Sequence, residues 1–240
     1  MSLTISGEGG GQDLPKLEPG IYNGTCYSIV DLGTTDQEYK GVVSKKTRVH
    51  LAFEVTESVD PTTNTVMMED GRPFGVFKTY TASLFEAATL RKDLESWRGK
   101  SFTEEELSGF DISNLIGCTA KIEVGLTKKS DYGDGGNPKI LALREPKEGV
   151  QKVETHNDKM IFDLDVYCDE FRGKSSDESK VMCDIFESLP EWHQRDIDAS
   201  YELIAAKQEF EDTPVEKLME EMPPEETNNK DDFKDDNIPF

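Results

Sequence analysis

The sequence lacks the cysteine spacing and the long apolar runs that define several protein classes. Its four cysteines form no C-x-x-C pair and its three histidines lie far apart, a pattern that fits neither a zinc finger nor a disulfide framework. No apolar run approaches the roughly 20 residues of a membrane-spanning helix, and the N-terminal residues have no apolar signal region. These absences predict a cytoplasmic protein of a reducing compartment, without membrane association.

Catalytic motifs are lacking too. The sequence contains no P-loop, no G-x-S-x-G and no H-E-x-x-H. The carboxylates Asp163, Asp165, Asp169 and Glu170 could form the metal cluster of a nuclease, because alternation would put Asp163 and Asp165 on one face of a strand. No His or Lys partner follows at a useful spacing, which favours a solvated acidic surface. We therefore predict no enzymatic activity, no metal and no cofactor, and keep a metal-dependent nuclease as the weakest alternative.

Positive charge is scarce and unevenly distributed. The net charge is −22, and residues 148–240 hold 27 of the 49 Asp and Glu but only 10 of the 27 Lys and Arg. A nucleic-acid binder needs local Lys and Arg to contact phosphates. The asymmetry is compatible with such a protein if the front of the chain carries a basic groove and the back an acidic extension.

Alternating apolar residues predict five strands in the front half. The pattern is clearest from Thr47 to Glu57, and Gly24 lies where a bulge would bend the first strand. A polar loop is predicted from Gly33 to Lys46. Three large side chains are expected in the core: Phe53, Phe77 and Trp97. The predicted strands are 20–32, 47–57, 74–81, 118–127 and 139–144.

Capping boxes locate the helices between the third and fourth strands. Ser83 with Glu86 predicts a helix that ends at Gly99, and Thr103 with Glu106 predicts a short second one. The order strand, strand, strand, helix, strand, strand is that of an OB-fold, a small Greek-key barrel that binds oligonucleotides across its second and third strands. We therefore predict an α+β protein, mainly β with helices, built on a five-stranded OB-fold barrel with a helix between strands 3 and 4.

The last third of the chain has a different pattern. A short strand is predicted over 159–166, a helix over 180–189, a helix with an apolar stripe from Trp192 to Ala205, and a final helix from Thr213. Residues 220–236 are too acidic and too poor in apolar groups to fold. The predicted units are a disordered segment 1–16, an OB-fold domain 17–147 that binds single-stranded DNA, an accessory, partly helical segment 148–211 and a flexible acidic tail 212–240.

On such a barrel, single-stranded DNA would need cations along its backbone and aromatic rings for its bases, each stack being worth ~1–3 kcal/mol. The candidates come from the first loop, the second and third strands and the loop between strands four and five. They are Tyr39, Lys45, Lys46, Arg48, Lys78, Tyr80, Lys128, Lys129 and Tyr132.

The final residues form a second candidate site, for protein partners. An acidic run there closes with three apolar residues, which suits a partner pocket with an apolar floor and a basic rim. The tip residues are Asp235, Asp236, Ile238, Pro239 and Phe240.

This tip resembles the C-terminal tip of bacterial single-stranded DNA-binding proteins, a run of Asp followed by Ile-Pro-Phe; Asn237 replaces the usual Asp. From Leu17 to Arg144 the chain is also similar to phage-encoded proteins of this binding class. The similar stretches are Pro19-Gly20-Ile21-Tyr22, Val30-Asp31-Leu32-Gly33 and Ser96-Trp97-Arg98-Gly99-Lys100.

The resemblance implies a protein that coats single-stranded DNA without sequence preference during replication, recombination or repair. Its tip would recruit the enzymes of those processes, in the host cytoplasm if a phage encodes it; self-association is left open. The alternative from another class is an adaptor or decoy that mimics the tip and binds host replication enzymes without binding DNA. Its barrel would lack a continuous positive stripe.

Overall fold

The computed structural model describes residues 16–59, 67–68, 70–128 and 136–211. Within these ranges the protein has an α+β fold, with one mixed sheet and helices grouped mainly after it. The strands are β1 (Gly20–Tyr39), β2 (Val42–Ser58), β3 (Gly75–Thr81), β4 (Thr119–Leu126), β5 (Pro138–Arg144) and β6 (Met160–Phe162). The helices are α1 (Thr89–Arg98), α2 (Glu104–Ser108), α3 (Leu164–Phe171), α4 (Asp177–Ser188), α5 (Glu191–Asp198) and α6 (Tyr201–Glu211), with a 3-10 helix at Ile112–Leu115.

The sheet order is β3-β2-β1-β4-β5, with every neighbouring pair antiparallel, and β6 pairs in parallel with β1. The sheet is open, with β3 and β5 at its two edges. Register shifts bend β1, and one lies between Asn23 and Gly24, which confirms the bulge predicted there. A Cβ at Gly24 would lie 2.7 Å from the Glu54 carbonyl oxygen, so the bend requires glycine.

The first hydrophobic core lies between the sheet and α1. Phe53 and Trp97 are fully buried in it, as predicted, and their rings meet edge to face at 5.3 Å. The Trp97 indole N–H donates to the Thr119 carbonyl oxygen at 2.6 Å, which satisfies its buried polar atom and ties α1 to β4.

The loop predicted over 33–46 is wrong, because β1 and β2 continue through it as a hairpin. Lys40 and Gly41 form its two-residue turn, with φ of 52° and 79°, the left-handed pair that matches strand twist. Gly33, φ 66°, lies at a register shift rather than at the end of the strand. We call residues 33–47 the hairpin arm.

One predicted helix start is wrong and another is confirmed, and the strand face predicted for two aspartates is also wrong. Ser83 caps no helix; its Oγ accepts from the Phe85 N–H in a turn, and α1 begins at Thr89. Asp163 follows β6 and caps α3, its Oδ1 accepting from the N–H groups of Asp165 and Val166, so Asp163 and Asp165 share no strand face. The capping box of Thr103 and Glu106 is present.

A second hydrophobic core joins helices α3–α6 to β1. Val30 and Leu32, both fully buried, are the contribution of β1. The helix predicted to run from Trp192 to Ala205 is two helices, because Ser200 is buried between them and its Oγ accepts from the Leu203 N–H at 3.3 Å. The accessory segment therefore packs on β1. The helix predicted from Thr213 lies outside the described residues.

Candidate nucleic-acid interface

The outward side of the β2–β3 ribbon carries the candidate site. Val49, Leu51 and Phe53 point into the first core, so the alternate residues of β2 point away from it. On β3 the outward residue Phe77 is 52% exposed, which makes its predicted core position wrong. The ladder pairs Ala52 with Phe77 and His50 with Thr79.

Lys78 and Tyr80 lie on the inward side of β3, where Asp93 of α1 binds both. Asp93 Oδ2 accepts from Lys78 Nζ at 2.7 Å and from the Tyr80 hydroxyl at 2.8 Å. Tyr80 is only 3% exposed, and burial, followed by the Asp93 charge, raises its pKa. The Tyr80 ring therefore has no open face for a base in this structure, and the Lys78 ammonium already has a partner.

Helix α5 brings Trp192 next to Phe77. The two exposed rings lie 5.7 Å apart between centroids, and we call them the aromatic platform. Beneath them His50 lies 5.0 Å from Phe77, 5.2 Å from Trp192 and 4.4 Å from His193. The buried face of α5, which contains His193 and Ile197, fixes this helix on the sheet and so fixes the position of Trp192.

The two histidines under the platform are held in their neutral form. Burial lowers the pKa of His50 to about 3, and the neighbouring His193 adds to that effect. Burial also lowers the pKa of His193 to about 4, against the opposing influence of Asp196. His50 Nδ1 is 3.0 Å from Thr79 Oγ1, whereas neither ring nitrogen of His193 has a hydrogen-bond partner among the described residues. The support of the platform is therefore uncharged at neutral pH.

A groove of about 360 Å³ adjoins the platform. Small residues, Ala52 and Gly75, leave space beside the rings of Phe77 and Tyr27. The lining residues are Tyr27, Ala52, Met68, Arg72, Pro73, Gly75, Val76, Phe77 and Asn157.

Glu54 fixes the loop that forms one wall of this groove. It is 2% exposed, and its carboxylate accepts from the His156 N–H at 2.9 Å and from the Asn157 N–H at 3.0 Å. Its Oε2 also accepts from Asn157 Nδ2 at 2.9 Å. A buried carboxylate with three donors holds its partners firmly, so the position of the Asn157 side chain is set by β2.

The hairpin arm carries three of the predicted site residues, and a fourth, Arg48, follows directly after it. Tyr39 is 71% exposed near its tip, and Lys46 is exposed along it. Lys45 Nζ lies 3.7 Å above the Tyr201 ring, and Arg48 at the base of the arm is paired with Asp196 at 3.2 Å. The accessory segment therefore supplies the neighbours of two of these cations.

The other predicted residues do not join this group. Lys128 is exposed just after β4. Two more loop residues and the whole tip lie outside the described residues: Lys129, Tyr132, Asp235, Asp236, Ile238, Pro239 and Phe240.

Sequence reasoning missed the platform and the groove. Phe77 and Tyr80 occupy opposite faces of one alternating strand, and nothing in the pattern of β3 says which face is outward. Trp192 belongs to an apolar stripe, which predicts a buried side chain. In α5 the neighbouring His193 is the buried residue instead. Asn157 gives no sequence signal, because its role depends on Glu54, about a hundred residues earlier.

Comparison of the chain with protein-family models, curated proteins and solved structures gave no match. In the part of the chain that the structure describes, no cluster of His, Cys, Asp or Glu is arranged to hold a metal ion. No helix of that part is long and apolar enough to cross a membrane.

Proposed function

We propose that this protein binds single-stranded DNA, without a catalytic role, on the outward side of β2 and β3. The observation that carries the proposal is the pair of exposed rings, Phe77 and Trp192, held side by side on that face. Unpaired bases stack on such rings with a free energy of ~1–3 kcal/mol each, whereas bases inside a duplex offer no open face. Stacked bases would cover these two exposed rings. Nothing in the packing of the described residues explains why the rings are exposed.

The strand order supports an OB-fold as the framework. A barrel of the order β3-β2-β1-β4-β5 closes if its edge strands β3 and β5 come together, and α1 stands between β3 and β4 in the chain, as in that fold. The binding face of an OB-fold is centred on strands 2 and 3, which is where the platform lies.

The hairpin arm supplies the second component, attraction for the phosphates. Lys46 and Lys40 are exposed on it, and Tyr39 adds a ring. The stretch of β2 from Val42 to Ala52 has eleven residues and spans roughly 33 Å, at about 3.3 Å for each step between neighbours. A strand lying along β2 would therefore meet the tip of the arm at one end and the platform at the other.

The platform is tested with labelled oligo-dT and two variants, Phe77→Ala and Trp192→Ala. Each should weaken binding about fivefold or more, as expected for the loss of one stack. Phe85→Ala is the matched control, because Phe85 is 74% exposed but lies in the β3–α1 connection. Equal affinities for all four proteins would refute the platform.

Trp192 also gives an internal signal. Trp97 is fully buried and hydrogen-bonded, so changes in tryptophan fluorescence on DNA binding should come from Trp192. Quenching that is lost in Trp192→Phe would support stacking. A wild-type protein that binds no oligonucleotide even at low salt would favour the tip-mimicking adaptor.

We further propose that the tip recruits replication, recombination or repair enzymes through Ile238, Pro239 and Phe240, with Asp235 and Asp236 facing a basic rim. The acidic, apolar-ended pattern supports this part. A chain that ends at Pro223 should bind oligo-dT as tightly as the full chain or more tightly at low salt, because an acidic competitor is removed. Weaker binding would contradict the separate roles of front and tail.

A further inference from the structure

The groove beside the platform has the features of a site for one unpaired base. Its volume of about 360 Å³ lies in the range of small-ligand sites. Phe77 and Tyr27 provide aromatic walls, and Ala52 and Gly75 leave the space between them. A Cβ at Gly75 would lie 3.6 Å from the Tyr27 hydroxyl oxygen, so any larger side chain there would enter the groove.

Asn157 lines this groove, and its side-chain contact tells the amide nitrogen from the amide oxygen. Its Nδ2 donates to Glu54 Oε2 at 2.9 Å, which assigns the amide nitrogen to the Glu54 side. The amide oxygen, Oδ1, is then on the other side, and it has no partner within the described ranges. The hydroxyl of Tyr27 likewise has no hydrogen-bond partner among the described residues. Two polar groups without partners thus line a groove with aromatic walls.

We infer that this groove takes one unpaired base, whose Watson–Crick edge donates a hydrogen bond to Asn157 Oδ1. Every natural base carries an N–H donor on that edge: N3–H of thymine, N4–H of cytosine, N6–H of adenine and N1–H of guanine. In a duplex each of these donors is occupied by the complementary base. The site would therefore require an unpaired base and still accept all four.

This inference rests on the proposed function but adds to it. Stacking on the platform needs an accessible ring face, whereas the groove needs a free base edge. The accessory segment contributes Asn157, so residues 148–211 would be part of the binding site and not only a support for it. Arg72 is a cationic residue of the groove lining, and its guanidinium lies 2.6 Å from the carboxylate of Asp70.

The test compares oligo-dT with an oligonucleotide of the same length made of N3-methylthymidine. The methyl group replaces the N3–H donor and keeps the ring that stacks. Wild-type protein should bind the methylated strand about fivefold to tenfold less tightly, the effect of one hydrogen bond to a desolvated acceptor. Asn157→Ala should bind the two strands equally, because it has no acceptor to lose and has room for the methyl group.

Two further variants keep the result interpretable. Asn114→Ala, in the 3-10 helix away from the groove, should discriminate as wild type does. Gly75→Val should weaken the binding of both oligonucleotides equally, because the valine side chain fills the groove. Thermal unfolding of this variant shows whether it still folds.

Equal binding of the two strands by wild type would overturn the inference, and so would discrimination that persists in Asn157→Ala. Both results leave the proposed function standing if oligo-dT binding still depends on Phe77 and Trp192. Absence of any oligonucleotide binding would overturn the proposed function and the inference together.

Discussion

The aromatic platform and the hairpin arm are built in opposite ways. The platform's rings rest on buried groups, His50 and His193, and on a helix fixed by the second core. The tip of the arm has almost no packing, and Tyr39 and Val42 are 71% and 67% exposed there. The platform is rigid and uncharged, while the arm is exposed and carries lysines.

This difference separates the two contributions to binding. Stacking on rigid rings depends little on salt, whereas attraction between lysines and phosphates decreases as salt rises. Each region therefore has its own signature in a salt titration, and variants of one region should leave the signature of the other unchanged.

The largest effect is expected from the double variant Phe77→Ala with Trp192→Ala. Loss of two stacks should weaken oligo-dT binding at least about 25-fold, by the same factor at low and at high salt. Fluorescence anisotropy across a salt series measures both quantities.

A steeper or shallower salt slope in the double variant would contradict a purely uncharged platform. Thermal unfolding must show that the fold persists, since Phe77 and Trp192 both contact His50. The control Phe85→Ala should match wild type in affinity and slope.

The sequence predicts the framework better than the site. The alternation of apolar residues predicts where the strands lie. In β2 it also predicts the buried face, because Val49, Leu51 and Phe53 all lie on one side of the strand. It failed on β3, where the choice between Phe77 and Tyr80 is decided by Asp93, a residue of α1 that satisfies both Lys78 and the Tyr80 hydroxyl. A single strand pattern does not contain that information.

The arm shows a different cause of failure. Gly33 and the polar run after it indicate a loop. In the structure the hairpin continues, because each residue from Thr34 to Tyr39 pairs with a residue of β2, from Thr47 back to Val42. Glu202 of α6 holds its base, accepting from the Thr34 N–H at 2.8 Å and from the Thr34 hydroxyl at 2.6 Å. Such support from residues far along the chain is invisible to local patterns.

A smaller effect is expected from the arm. Replacing Lys40 and Lys46 together by Gln should weaken oligo-dT binding on the order of tenfold at low salt, and should reduce the salt slope by about 1.4, that is 0.7 for each phosphate contact on a single strand. At high salt the variant should approach wild type.

Lys78→Gln is the matched control for the arm. Lys78 Nζ is 2.7 Å from Asp93 on the inward side of β3, so its loss should lower stability and leave the slope unchanged. If the salt slope falls in Lys78→Gln but not in the arm variant, the phosphates do not follow the hairpin arm.

The smallest effect is a dependence of stability on pH that comes from the two histidines under the platform. Folding lowers the pKa of His50 to about 3 and of His193 to about 4, so it favours their neutral forms. Their contribution to stability is complete above the ordinary value of 6.5 and is lost progressively as the pH falls from there towards the folded values. For one histidine the loss between pH 7 and pH 5.5 is about 1 kcal/mol.

Asp31 opposes this trend. Burial raises its pKa to about 6, so the folded protein takes up this proton more readily than the unfolded chain and is stabilised as the pH falls. The histidine effect is therefore measured as a difference between proteins. Urea unfolding at pH 7 and 5.5 should show a loss of stability about 1 kcal/mol smaller in His193→Gln than in wild type, while His156→Gln, at an exposed site, should match wild type. An identical pH dependence in all three proteins would mean that the support of the platform does not titrate as a buried neutral pair, and its rigidity would then need another cause.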